Sequence, residues 1–123
     1  MAKIKKLTGK AYNKIYGTSF HEGRILASFD ELEKKLGVKP TCTDDGKTNY
    51  ELALSINGIT ATIYDWKEGT IDTSDIVWLH IGTKDVLDTL KVAEILASEY
   101  NLKVKTGSPE SNLLNAIFGS TKK

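Results

Sequence analysis

Between residues 50 and 82 the chain reads YELALSINGITATIYDWKEGTIDTSDIVWLHIG, and its apolar positions recur every second residue on either side of Asn57-Gly58. That dipeptide predicts a type I′ hairpin turn, whose two central residues need positive φ, a conformation Asn and Gly tolerate best. A two-residue turn fixes the register. Ile56 opposes Ile59, Leu54 opposes Ala61 and Leu52 opposes Ile63, so these six side chains share one face, the core face. The other face carries Ser55, Thr60, Thr62, Tyr64 and Trp66. A third strand repeats the division, with Val77, Leu79 and Ile81 inward and Trp78 and His80 outward. Clustered large residues on a sheet face otherwise turned to water mark a contact surface. A second layer from the same chain, a ligand site and a subunit interface all fit, because Tyr and Trp combine rigid area with one hydrogen-bond donor.

The flanking segments supply the rest of an α+β domain. Residues 1–10 are lysine-rich without a clear period and predict a frayed start or a short edge strand; residues 11–27 read as short strands around a polar loop at Gly17, Thr18 and Ser19. Ser28 and Glu31 form a capping box, Phe29, Leu32 and Leu36 make one apolar stripe, and Gly37 stops the helix, which predicts a helix over 28–36. Residues 38–49, with Pro40 and Asp44-Asp45-Gly46, read as a loop, and residues 67–75 as a polar lid or rim. Over 84–100 the residues Val86, Leu87, Leu90, Ala93, Leu96, Ala97 and Tyr100 fall at spacings of three and four, an amphipathic helix with Thr83 as N-cap. Residues 102–104 suit a short strand. Ser108-Pro109 starts a last helix over 109–118, and the final five residues are expected to be loose. The expectation is a single antiparallel sheet of four or five strands with three helices, the longest packed on the face of Leu52, Leu54, Ile56 and Ile63.

Composition narrows the function classes. A chain of 123 residues, 40% hydrophobic and 27% charged, has the size and balance of one folded domain. No run approaches the roughly 20 apolar residues of a membrane span, and MAKIKKLTGK lacks the apolar stretch of a signal peptide, so a cytoplasmic protein is expected. The single Cys42 is a bystander thiol that excludes an internal disulfide. Seventeen basic against sixteen acidic residues give a net charge of +1, which does not suit a long polyanion. Arg24 is the one arginine, and only arginine offers a forked donor set, so it is a candidate contact to phosphate or a base edge beside its simpler reading as a surface ion pair.

Acid-base and hydrolytic catalysis needs a nucleophile beside a base, or paired carboxylates in unlike environments. Neither occurs as a motif: His21 and His80 are far apart in sequence, and Ser19 with His21 is a poor pair because near neighbours in a loop rarely point together. Asp44 and Asp45 lack the spaced oxygen ligands of a calcium loop and read as a turn, so neither metal nor cofactor is expected. Glycine-rich phosphate motifs are missing. What remains is a binding inventory. Tyr16, Gly17, Thr18, Ser19 and Phe20 combine hydroxyls, backbone N–H groups and rings, the makings of a grip on phosphate and a stacked base as well as of a plain turn. Tyr64, Asp65, Trp66 and Lys67 add rings, a carboxylate for a base amino group and an ammonium, and Trp78 and His80 share their face. These parts suit a small anionic aromatic ligand.

The order GTSF (17–20), IYDWK (63–67) closing the hairpin and WLHIG (78–82), with the helix SFDELEKKLG between the first two, resembles a widespread family of small phage-encoded proteins across residues 16–82, about half the chain. The resemblance is to viral sponges of the anti-CBASS 4 type, and implies a tetramer that sequesters 3′3′-cyclic GMP-AMP without cleaving it. The C-terminal third is longer than in many members. Carried over, the resemblance implies a non-enzymatic immune-evasion protein in the infected host's cytoplasm, a dimer or tetramer, with ligand contacts first at 17–20 and 64–67 and then at Trp78 and His80. The competing expectation is an inhibitor that uses the aromatic face against a host protein.

Overall fold

The computed structural model of the chain describes residues 2–43 and 46–107. The expected helix over 109–118 and the Asp44-Asp45 turn lie outside the described residues. In chain order the elements are β1 (Ile4–Lys6), a 3-10 helix (Gly9–Ile15), β2 (Ser19–Ala27), α1 (Phe29–Leu36), β3 (Thr41–Cys42), β4 (Tyr50–Ile56), β5 (Ile59–Tyr64), β6 (Val77–Thr83), α2 (Val86–Tyr100) and β7 (Lys103–Thr106). The seven strands make one antiparallel sheet in the order β1-β4-β5-β6-β2-β7, with β3 also paired to β4. The α+β class expected from the pattern holds, with more strands than four or five because short edge strands β1, β3 and β7 extend the central four.

The hairpin organises this sheet as its sequence requires. Asn57 and Gly58 take φ of 51° and 86°, and Ile56 faces Ile59, Leu54 faces Ala61 and Leu52 faces Ile63. The turn also anchors the N-terminal strand: the Lys3 N–H donates to Asn57 Oδ1 at 2.7 Å and the Asn57 N–H to the Lys3 carbonyl at 2.9 Å. On the inner face Ile25, Leu52, Leu54, Ile56, Ile63, Leu79 and Ile81 are all fully buried with Phe29 and Leu32 of α1 and Val92 and Leu96 of α2, and Leu36 closes the edge of this core. Truncating one of these to Ala deletes about 2–5 kcal/mol.

Both helices begin on side-chain caps. Ser28 Oγ accepts from the Glu31 N–H at 3.0 Å, and Gly37, at φ 73°, ends α1 in the left-handed conformation. Asp85, rather than Thr83, caps α2, accepting from the Asp88 N–H at 2.8 Å. Thr83 is buried at the end of β6 and donates to the Asp85 carbonyl at 2.7 Å, which leaves the Thr89 hydroxyl as donor toward Thr83 at 2.6 Å. The inward stripe of α2 is Thr89, Val92, Ala93 and Leu96, while Leu87 is 62% exposed. This helix packs on the core face as expected, but lies along β7, β2 and β6 and reaches β5, leaving α1 to share the core with Leu52, Leu54 and Ile56.

One segment departs from its expectation. Residues 9–15 are 3-10 helical and not strand. Tyr12 and Ile15 stand three residues apart, the spacing at which 3-10 side chains eclipse, and this places both on the side nearest the sheet. Among the described residues no helix is long and apolar enough to cross a membrane.

Candidate functional site

Register puts five side chains in one row across the outer face. Glu51 of β4 faces Tyr64 of β5, Tyr64 faces His80 of β6, His80 faces Arg24 of β2, and Arg24 faces Lys105 of β7. The row runs from a carboxylate through two rings to two cations. Where it meets the 3-10 helix, a cleft of about 360 Å³ opens, walled by Tyr16, Gly17, Thr18 and Ser19 on one side and Thr62, Tyr64 and Trp66 on the other, with Thr43, Thr48 and Glu51 closing it. The two segments singled out in the sequence, far apart along the chain, thus face one another.

Each wall has a structural reason for its shape. Gly17 turns at φ 89°, and the Thr18 hydroxyl donates to the Ile15 carbonyl at 2.6 Å, which fixes the turn but leaves the hydroxyl oxygen able to accept. Tyr16, 74% exposed, and Trp66, 37% exposed, form the lips. Gly82 faces both Thr62 and Phe20 in the ladder, and a Cβ there would collide with Thr62 Oγ1 and lie 3.4 Å from Tyr64 Cε1.

Asp65 has a different part from the one its sequence position suggested. It is 0% exposed, so it cannot meet a base amino group, and its carboxylate is occupied by the chain itself. Oδ1 accepts from the backbone N–H groups of Asn49 at 2.8 Å and Tyr50 at 3.0 Å, and Oδ2 accepts from Asn49 Nδ2 at 2.7 Å. The carboxylate therefore clamps the loop that carries Thr48 to the end of the hairpin. The Lys67 N–H reinforces this by donating to the Lys47 carbonyl at 2.8 Å.

Phe20 and Arg24 are brought to the row by an irregularity in β2. The register passes from Phe20 facing Gly82 directly to Gly23 facing Ile81, so His21 and Glu22 have no partner on β6, and Glu22 takes φ 65°. Phe20 consequently stands two ladder steps from Arg24, about 7 Å, where regular spacing would put it four steps and about 13 Å away. Its ring stacks on His80 at 3.9 Å and 14°, and the Arg24 guanidinium lies over the same Phe20 ring, 4.7 Å from its centre, and pairs with Glu22 at 3.9 Å. Beyond His80 come Tyr64, edge-on at 5.6 Å, and Trp66, nearly parallel at 6.2 Å and 26°. The Lys47 and Lys67 ammonium groups lie 5.6 and 5.5 Å from the Trp66 ring centre. Trp78 shares the face but pairs with Lys105 at 5.3 Å, away from the cleft lining.

Electrostatics set the protonation of these groups. Burial, aided by the Arg24 charge and opposed by Glu22, pulls His80 below its ordinary pKa, so its ring is neutral at pH 7. Burial and the Glu51 carboxylate push Tyr64 upward, keeping its hydroxyl a donor. Tyr12, whose hydroxyl donates to Glu51 Oε2 at 2.9 Å, is pushed up to about 12 by burial and that hydrogen bond. Ser19 Oγ and His21 Nε2 do approach, at 3.2 Å, contrary to the expectation for loop neighbours, and both groups are open to solvent.

Of the twelve sequence candidates, Tyr16, Gly17, Thr18, Ser19, Tyr64 and Trp66 line the cleft; Phe20, Arg24, Lys67 and His80 adjoin it through ring and charge contacts; Asp65 and Trp78 do not reach it. Glu51, Thr43 and Thr48 escaped the sequence reading. Glu51 was accessible to it, since the Asn57-Gly58 register already opposes residue 51 to residue 64. The chain matches no protein-family model, no curated protein and no solved structure.

Proposed function

We propose that this chain binds a cyclic dinucleotide of the 3′3′-cyclic GMP-AMP class in the cleft between residues 16–19 and Tyr64–Trp66 and holds it uncleaved, withdrawing an immune signal in the cytoplasm of a phage-infected bacterium. The observation that carries the reading is the convergence of the GTSF turn and the YDWK segment on one cleft, which sets hydroxyls and a positive-φ glycine turn opposite aromatic rings flanked by lysines. Rings stack bases without demanding a sequence, and ammonium groups answer phosphate. The cleft volume of about 360 Å³ is at the lower end for small-ligand pockets, roughly 300–1,000 Å³. A ligand built of two nucleotides around a near-twofold axis is therefore matched by a symmetric dimer or tetramer in which two clefts share it.

Calorimetry with 3′3′-cyclic GMP-AMP, cyclic di-AMP and cyclic di-GMP tests the reading, followed by denaturation and recovery of the ligand. Binding with intact ligand supports a sponge. A hydrolysed ligand would turn attention to Ser19 and His21 as an enzyme, and silence across the panel with a stoichiometric host protein in a pulldown would favour an inhibitor acting through the aromatic face. Light scattering that finds only a 13.6 kDa species, with and without ligand, would refute the shared-cleft assembly.

A further inference from the structure

The geometry points to a slot for one planar heteroaromatic base, with Trp66 and His80 as its two walls and Tyr64 as its floor. This deepens the function proposed above and rests on it for the identity of the ligand, but the slot is an assignment of its own. The three ring centres form a near-equilateral triangle, with Trp66 and His80 6.2 Å apart, Tyr64 and Trp66 6.3 Å apart, and Tyr64 and His80 5.6 Å apart. Two of the rings are nearly parallel, at 26°, while Tyr64 stands at 80° to one and 64° to the other. Parallel walls closed at one side by a ring edge have the shape of a flat ring's binding site.

The dimensions choose among ligands. A ring sandwiched between two others needs about twice the 3.5 Å separation of carbon atoms in contact, or about 7 Å between the walls. The centres of the two rings, 6.2 Å apart, lie within about 1 Å of that spacing, and the Trp66 ring must turn to seat a base between them. A quaternary ammonium, the usual guest of an aromatic cage, is thicker than a ring and would meet the positive charges of Lys47 and Lys67 beside Trp66. Those same charges favour a base that carries a phosphate.

The two walls differ in how firmly they are held. His80 lies in the middle of β6, a strand flanked by β5 and β2, and Phe20 stacks on it at 3.9 Å with Arg24 against Phe20 in turn. Trp66 lies two residues beyond the end of β5 and is 37% exposed, outside the ladder. Opening the slot therefore requires a ring rotation at Trp66 and no change in the sheet. A base entering there leaves its sugar and phosphate on the side of residues 16–19, because Tyr64 and Trp66 belong to the cleft wall facing that turn.

Trp66 reports its own occupancy. With Trp78→Phe it becomes the only tryptophan, and titration with 3′3′-cyclic GMP-AMP, with AMP and GMP, and with base-free ribose 5-phosphate separates base from phosphate. Saturable quenching by the base-bearing ligands and none by ribose 5-phosphate is the expected result. His80→Ala should weaken binding by about five- to hundredfold, the range of a lost stacking partner, while His80→Phe keeps a flat wall and most of the affinity. Calorimetric binding without quenching, or equal affinity in His80→Ala and the parent, would overturn the slot while leaving the sponge reading intact. Quenching by AMP or GMP with no heat from any cyclic dinucleotide would uphold the slot and remove the proposed ligand. Should His80→Ala melt early, the quenching titration and His80→Phe decide alone, and absence of quenching by every base-bearing ligand refutes the slot.

Discussion

Replacing Asp65 probes the clamp that holds one side of the cleft. In Asp65→Ala three donors lose their acceptor: the N–H groups of Asn49 and Tyr50, and Asn49 Nδ2. The last retains the Gly69 carbonyl at 2.6 Å, so two backbone N–H groups are left without a partner. Each such group costs about 1–3 kcal/mol when buried, for a sum of roughly 2–6 kcal/mol. The preceding residues Gly46 and Lys47 are exposed, so water can reach the loop as it loosens, and a loss near the middle, about 3 kcal/mol, is expected. For a chain of this length that corresponds to a drop in Tm of about 9–15 °C. Asp65→Asn separates charge from shape. Its amide oxygen can keep both backbone donors, but its NH2 then meets Asn49 Nδ2, and Asn49 must turn over and release Gly69, for a loss of about 1–2 kcal/mol. Urea unfolding followed by tryptophan fluorescence, with the slope m compared between variants, measures both. Asp65→Ala within about 1 kcal/mol of the parent, or Asp65→Asn less stable than Asp65→Ala, would refute the clamp.

Gly82→Ala should lose about 1–3 kcal/mol by overpacking against Thr62 Oγ1, and Thr62→Ala in the same chain should restore part of it, as unfolding midpoints would show. Lys67→Ala should weaken 3′3′-cyclic GMP-AMP binding strongly at low salt and little at high salt, since a lysine charge near phosphate is screened; a salt-independent effect would exclude that role. The depressed pKa of His80 makes the unfolded chain the better proton binder, so His80 contributes stability that is full above its ordinary value of 6.5 and is lost as pH falls through the lower folded value. A parent that loses more Tm than His80→Phe between pH 7.5 and pH 5 is the expected outcome, and parallel pH profiles would contradict it.

The hairpin and α1 were legible because their signals are local: a two-residue turn, a cap, a stop. The α2 stripe was only partly so. Apolar residues occur around much of that helix, and the inward side is chosen by Thr89, 1% exposed, which fits against Gly23 and bonds Thr83. A threonine gives no such signal in a hydrophobic pattern. At the site, Tyr64 and Trp66 could be placed by parity along a strand, and the turn at 16–19 by composition. The same register sets Asp65 opposite Tyr50 once the chain returns as β5, but its burial and its grip on Asn49 could not be read, because they depend on how the loop before β4 folds back onto the end of the hairpin. Nor could the stack of Phe20 on His80, which depends on two residues of β2 that the pairing with β6 skips.

Those two residues, His21 and Glu22, are outside the pairing of β2 with β6, although the Glu22 carbonyl accepts from the Gly107 N–H at 3.1 Å beyond the end of β7. Side chains alternate faces with period two, so a chain lacking both would join Phe20 to Gly23 in the register they already hold against Gly82 and Ile81, with every side chain on its present face. Losing only one would leave a one-residue bulge, which raises the local twist while Phe20 can still face Gly82. The length between Phe20 and Gly23 can therefore vary while Gly82 and Ile81 hold the two ends in place, so the aromatic face and the core are joined here by pairing and not by a fixed count of residues.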